Sequence, residues 1–250
     1  MSEDWNFYLC NVNDVVASVF LDLGIRNAVP DKGKPNLLWV WVYLKWPRED
    51  GLSASSEFNS LKAIEEKLTE VMVGRFDAVL CGRITTDGRR EFYYYAPRSE
   101  RLEAAVEDAM SQWRDYEFDC GSKEDPEWRQ YLDVLYPSDE DRQCIENRKV
   151  LEVLQQKNDT LKTPRDVWHW IYFRTETDRE DFWNSVSPLE YRVQSQPQSG
   201  RSDFPFGLCI MRFQSVNPTE IDNDVIELFR LAKKHGGDYD GWETQVISQR

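Results

Sequence analysis

The sequence predicts an α+β chain of two ferredoxin-like domains in tandem, each a split β-α-β unit whose antiparallel sheet carries its helices on one face. Three observations predict it. Leu38-Trp39-Val40-Trp41-Val42-Tyr43-Leu44 and Val167-Trp168-His169-Trp170-Ile171-Tyr172-Phe173 share one pattern, 129 residues apart. Side chains alternate between the faces of a strand, so each stretch has one mainly aliphatic face and one Trp-x-Trp-x-Tyr face. Each stretch also heads the same order of elements, strand-helix-strand-strand-helix-strand. Finally, 250 residues with 40% hydrophobic and 30% charged side chains suffice for two globular cores.

Taken in order, residues 15–23 alternate, with Val15, Ala17, Val19, Leu21 and Leu23 on one side, and predict a strand. After a loop containing Pro30, Gly33 and Pro35 comes the Trp39 strand. Phe58, Leu61, Ile64, Leu68 and Met72 recur at helical spacing, with Gly74 as the expected stop. Strands over 76–84 and 90–96 meet at Asp87-Gly88, a hairpin signal. A helix carrying Leu102, Val106, Ala109, Met110 and Trp113 is expected to take Ser99 as its cap, and a strand near 115–120 closes the unit.

The stretch from Gly121 to Asp139 is rich in charge and chain breakers, and the boundary is placed there, giving domains of 1–136 and 137–250. A helix over 139–157 precedes the second unit. Strand 166–174 leads to a short helix with Phe182 and Trp183, then to strands near 189–196 and 206–215 joined by a polar loop, Gln194 to Ser202. Asn217-Pro218-x-Glu220 combines an N-cap, a first-turn proline and a capping-box glutamate. The stripe of Ile221, Val225, Leu228, Phe229 and Ala232 ends at Lys233, Lys234, His235 and Gly236, residues suited to a helix C-terminus. A last strand holds Tyr239 to Val246.

In the predicted topology the first strand is central. Its aliphatic face (Leu38, Val40, Val42, Leu44; Val167, Ile171, Phe173) belongs under the helices and its ring face is open. Six uncovered rings make a patch larger than a soluble monomer ordinarily shows. The first expectation is that the two faces pack on each other, on a second copy, or under the linker and extra helix. Ligand or peptide docking comes next, and stacking on bases last.

Charge bears on that order. The 45 acidic and 31 basic residues leave a net −14, opposed to nonspecific nucleic-acid binding and suited to a basic protein partner. Five scattered cysteines, Cys10, Cys81, Cys120, Cys144 and Cys209, lack metal or redox spacing and read as reduced thiols of a cytoplasmic protein. No secretory signal is seen at the start, and no stretch approaches the roughly 20 apolar residues of a membrane span. Two histidines without a Cys/His/Asp cluster give no zinc site, and neither a metal nor a cofactor is expected.

Candidate binding residues lie in the second half. His169 shares the aliphatic face; a core histidine is weighed above a general base there. Asp159 and Arg165 flank a turn, either as a charged pair at a cleft or as a clasp at the strand entry. Tyr239, Asp240 and Trp242 follow the helix in a connection whose acidic residues do not match a calcium loop. With Trp168, Trp170 and Tyr172 these complete the candidate set. No catalytic residue is assigned: nucleophile elbow, phosphate-binding loop and dinucleotide fingerprint are all missing.

Asn158-Asp159-x-Leu161, Pro164-Arg165-x-Val167-x-His169, Tyr172-Phe173 and Gly236-Gly237-Asp238-Tyr239-Asp240-Gly241-Trp242 carry a resemblance. Through them residues 138–248 resemble the RraB family, regulators of ribonuclease E activity. That pattern commonly has glycine where this chain has Asn158. Residues 5–136, through Trp128, Tyr131 and Leu135-Tyr136-Pro137-Ser138, are similar to an uncharacterised domain family often fused ahead of RraB-like domains. The resemblance implies a ferredoxin-like domain that binds the noncatalytic part of a ribonuclease E-type nuclease and lowers its activity, without chemistry of its own. The expected function is therefore a non-enzymatic protein-interaction regulator. Two alternatives stay open: a small-ligand site or enzyme at an interdomain cleft around His169, and RNA binding through Trp168, Trp170 and Tyr172.

Overall fold

A computed structural model describes residues 4–12 and 14–248. Its contacts divide the chain into two units, the first ending at Ser138 and the second beginning at Asp139.

The first unit contains β1 (Trp5–Val12), β2 (Val15–Asp22), β3 (Asn36–Tyr43), α1 (Phe58–Phe76), β4 (Val79–Thr86), β5 (Arg89–Ala96), α2 (Leu102–Met110) and β6 (Phe118–Glu124). The sheet runs β1-β2-β4-β5-β3-β6, antiparallel throughout. From β3 onward this is the split β-α-β order expected; the β1–β2 hairpin extends it past β4. Leu38, Val40 and Val42 lie fully buried with Phe92 and Tyr94 under Leu61, Ile64 and Leu68 of α1 and Val106 of α2. Alternation therefore placed the aliphatic face correctly. Asp87 and Gly88 turn the hairpin with φ of 47° and 72°, the positive values such a two-residue turn requires.

Several boundaries differ from expectation. β1 lies outside the expected elements: it is an edge strand in which only Tyr8 is buried, so its alternation is faint. Gly74 does not stop α1. The helix runs on to bury Phe76, and Asp77 takes the left-handed terminal position at φ 50°. Ser99 does not cap α2 with its side chain; its carbonyl receives the Leu102 N–H at 3.2 Å, and Arg101 holds the cap position. The closing strand starts at Phe118 because Trp113 to Tyr116 forms a turn that sends Tyr116 into the core.

The second unit contains α3 (Asp139–Gln156), β7 (Arg165–Phe173), α4 (Glu176–Val186), β8 (Arg192–Ser195), β9 (Phe206–Gln214), α5 (Pro218–Lys234) and β10 (Gly237–Thr244), with sheet order β10-β7-β9-β8. Val167, Ile171 and Phe173 are fully buried with Phe182 of α4 and Ile221, Val225 and Leu228 of α5. α3 joins this layer beside α5, so it is no cover for an open sheet face. Asn147 of α3 donates to Asp222 of α5 and accepts the Trp242 indole N–H of β10, each at 2.8 Å. Asn217 caps α5 by accepting the Glu220 N–H at 3.0 Å. The reciprocal half of the capping box is not made, because the Glu220 carboxylate accepts from the Ser215 hydroxyl instead. β8 is shorter than expected, and all four of its residues are exposed.

Candidate functional site

Strand β7 of the second unit sorts the candidate residues by the parity of their numbers. Trp168, Trp170 and Tyr172 lie on the face away from the helices and remain partly exposed. Their register neighbours are Met211 and Glu243 for Trp168, Cys209 and Gly241 for Trp170, and Gly207 and Asp238 for Tyr172. The Trp170 indole N–H donates to Glu243 Oε1 at 3.2 Å. Over the Tyr172 end, Arg201 from the 196–205 loop lies 5.2 Å from the ring centre and forms ion pairs with Asp238 and Asp240. At the other end Phe213, 67% exposed, and Met211 border a depression of about 740 Å³, lined also by Asp166, Tyr191, Arg192 and Arg212. Met211 and Phe213 were missed in the sequence, although they alternate in phase with Cys209 along β9.

The remaining candidates lie inside the fold. His169 is fully buried; its Nδ1 shares a 2.8 Å hydrogen bond with the Tyr239 hydroxyl, and the Tyr191 ring meets it edge-on with centres 5.7 Å apart. Burial, then the charge of Arg212, pushes its pKa down to about 3, so the ring is neutral near pH 7. Asp159 and Arg165 form a buried double hydrogen bond. The Asp159 carboxylate also accepts from the Leu161 and Ile247 N–H groups, and the bond from Arg165 leads in holding its pKa down to about 2. The pair clasps residues 245–247 to the start of β7, since Arg165 also donates to the Gln245 carbonyl at 3.0 Å. Trp242 is buried on its bond to Asn147.

Asp240 stands at a β-bulge between Tyr239 and Gly241, exposed and paired with Arg201 over the open face. His169, Arg165, Asp159 and Asp240 therefore do not converge within the second unit. Among the described residues no His/Cys/Asp/Glu group is arranged to hold a metal, and no helix is long and apolar enough to cross a membrane.

The first unit treats its ring face differently. The rings of Trp39 and Trp41 meet at a tilt of 37° with centres 4.7 Å apart, and Gly121 opposite Trp39 leaves room for the indole: a Cβ there would stand 2.5 Å from Trp39 Cζ2. Tyr43 donates to Asp119 at 2.7 Å, and Arg89 covers Trp41 at 4.7 Å. The face around Tyr95 is covered by the unit's own closing segment. Trp128 stacks on Tyr95 at 3.9 Å, and the Tyr131 hydroxyl donates to the Asp22 carbonyl at 2.7 Å. The Tyr8 hydroxyl donates to the Leu135 carbonyl at 3.0 Å.

Residues 3–136 match the model of DUF695, a family of unknown function. The chain belongs to the DUF695 family. Residues 144–244 match the RraB model, described as regulator of ribonuclease activity B. The N-terminal and C-terminal likenesses read in the sequence are thus both present, and the two units can be called the DUF695 unit and the RraB-like unit. Asn158, where the RraB pattern commonly has glycine, sits at φ 60°, the left-handed region that asparagine tolerates best after glycine. No curated protein matches the chain. Among solved structures, a crystal structure of an unknown protein from Galdieria sulphuraria aligns with 10% identity over 85% of this chain and 99% of its own, at a TM-score of 0.22. A crystal structure of a putative glycine cleavage system transcriptional repressor aligns with 10% identity over 86% and 98%, at 0.21.

Proposed function

We propose that the chain is a non-enzymatic regulator whose RraB-like unit docks a protein partner on its open sheet face, the partner being a ribonuclease E-type nuclease bound through a basic noncatalytic segment. One observation carries the reading. Trp168, Trp170, Met211 and Phe213 form a ring-lined strip left partly open on an otherwise well-covered unit, with Asp166 and Glu243 beside it. Arg201 and Arg212 beside the strip are already paired with carboxylates and Arg192 stands exposed next to Met211, so the strip suits a partner that brings apolar anchors with charges of both signs, its basic residues meeting Asp166 and Glu243. The chain's net charge of −14 disfavours a polyphosphate backbone. The burial of His169 against Tyr239 supports a site without acid–base chemistry on this unit. The test is a titration of nuclease activity with the full chain at physiological salt. Activity falling in step with complex formation supports the reading; a nuclease neither bound nor slowed contradicts it.

A further inference from the structure

On the helical side of the DUF695 unit, the β1–β2 hairpin reaches beyond the helix layer and leaves a groove beside α1. Phe20, Leu80 and Phe58 line it, and Arg83 and Arg90 stand on its floor. The groove continues into a smaller recess of about 340 Å³ lined by Ser18, Arg48, Ser53, Thr85 and the same two arginines, with no carboxylate in its wall.

Arg90 is the anomaly. It is 9% exposed, yet among the described residues its hydrogen bonds go to neutral hydroxyls, Nε to Thr85 at 3.1 Å and Nη2 to Ser53 at 3.3 Å. Buried guanidinium groups are ordinarily matched to an anion, because desolvating an uncompensated charge is costly. Glu57 and Glu65 act on Arg90 through space, but neither is hydrogen-bonded to it among the described residues: buried Glu57 accepts from the Lys45 and Trp46 N–H groups and the Tyr116 hydroxyl. Glu65 is bound to Arg83, while Glu66 and Glu70 on the rim pair with Lys62 at 3.8 Å and Lys67 at 3.0 Å. Arg83 in turn lies 4.2 Å above the Phe20 ring, joining the basic floor to the apolar wall. Burial, with the like charge of Arg83 as the next cause, lowers the Arg90 pKa to about 10, which still leaves it a cation at neutral pH.

We infer that this recess binds a small molecule carrying one compact oxyanion, a carboxylate or a phosphate monoester, which meets Arg90 and Ser53 while an apolar body lies along Phe20 and Leu80. The fork of a guanidinium takes either oxyanion through paired N–H donors, and serine and threonine hydroxyls can turn to donate. The site lies in the DUF695 unit and does not depend on docking by the RraB-like unit.

Calorimetry on the full chain with inorganic phosphate, phenyl phosphate and octanoate tests it. Phenyl phosphate or octanoate should bind saturably, about tenfold or more tighter than inorganic phosphate, and whichever of the two binds identifies the head group. Arg90→Met should weaken binding by about tenfold or more. Because that variant can also lose stability, Ser53→Asp provides the second arm. It places a carboxylate beside Arg90, so it should raise the melting temperature and abolish binding. The inference is overturned if none of the three probes binds saturably at about 10 mM. It is also overturned if inorganic phosphate binds as tightly as the amphiphilic probes, or if Ser53→Asp binds like wild type.

Discussion

His169 Nδ1 and the Tyr239 hydroxyl share a 2.8 Å hydrogen bond in the core of the RraB-like unit, joining the central strand β7 to its neighbour β10. The histidine has a pKa pushed down to about 3 by burial and by Arg212, against about 6.5 in the unfolded chain. A depressed folded pKa gives stability that is complete above the unfolded value and is lost as pH falls toward the folded one, because only the unfolded chain takes up the proton. Lowering the pH from 7 to 5 should therefore cost about 2 kcal/mol through this group alone. In His169→Gln that increment should vanish. Chemical denaturation of both proteins at the two pH values measures it, and equal pH slopes would show that the ring is not held neutral.

The Asp159–Arg165 clasp makes a separate prediction. Removing one partner leaves the other charge buried, so Asp159→Ala should destabilise the RraB-like unit by about 3–5 kcal/mol. The Ile247 amide, whose acceptor is the Asp159 carboxylate, should lose protection against hydrogen exchange first. Unchanged protection at Ile247 would place the anchor elsewhere. The remaining Asp159 stabilisation is lost only as pH falls from about 4 toward its folded value of about 2.

Asn158 offers a test of backbone conformation. At φ 60° a Cβ-branched or plain alkyl side chain is strained, so Asn158→Ala should cost about 1 kcal/mol. Asn158→Gly should remain within about 0.5 kcal/mol of wild type, since relief of strain and added freedom of the unfolded chain oppose each other. Thermal unfolding of the two variants separates these outcomes.

Gly121 and Trp39 are coupled by space. Gly121→Ala puts a methyl against the indole and should cost about 1–3 kcal/mol as Trp39 leaves its contact with Trp41. Near-ultraviolet circular dichroism should lose the signal of that ring pair; an unaltered spectrum would mean the strand yields instead.

Much of this was legible in the residues themselves. Alternation along Leu38–Leu44 and Val167–Phe173 fixed which face each helix pair covers, and with it the burial of His169. Asp87-Gly88 and Asn217-Pro218 announced a hairpin and a helix start through local chemistry that tertiary structure did not override. What was hidden depends on contacts far apart in sequence. β1 is marked only by the burial of Tyr8, whose hydroxyl meets Leu135 near the other end of the unit. Arg90 follows Arg89 at the charged start of β5 and looks solvated; it is buried beneath Ser53, 37 positions earlier in the chain, and against Thr85 of β4. The clasp of Asp159 on Arg165 is among the sequence's expectations, but what it holds, and what buries Trp242, is not: Ile247, Gln245 and Asn147 lie 80 to 95 positions away.

The central claim is that the open ring face of the RraB-like unit is a docking surface. Its most direct test is the affinity of the full chain for the noncatalytic segment of a ribonuclease E-type nuclease, measured for wild type and for Trp168→Ala/Trp170→Ala, with the melting temperature recorded for both. Two aromatic anchors at an interface centre each contribute about 2 kcal/mol or more, so the double variant should bind at least about a hundredfold more weakly while staying folded. Undiminished affinity in a folded double variant would contradict the account.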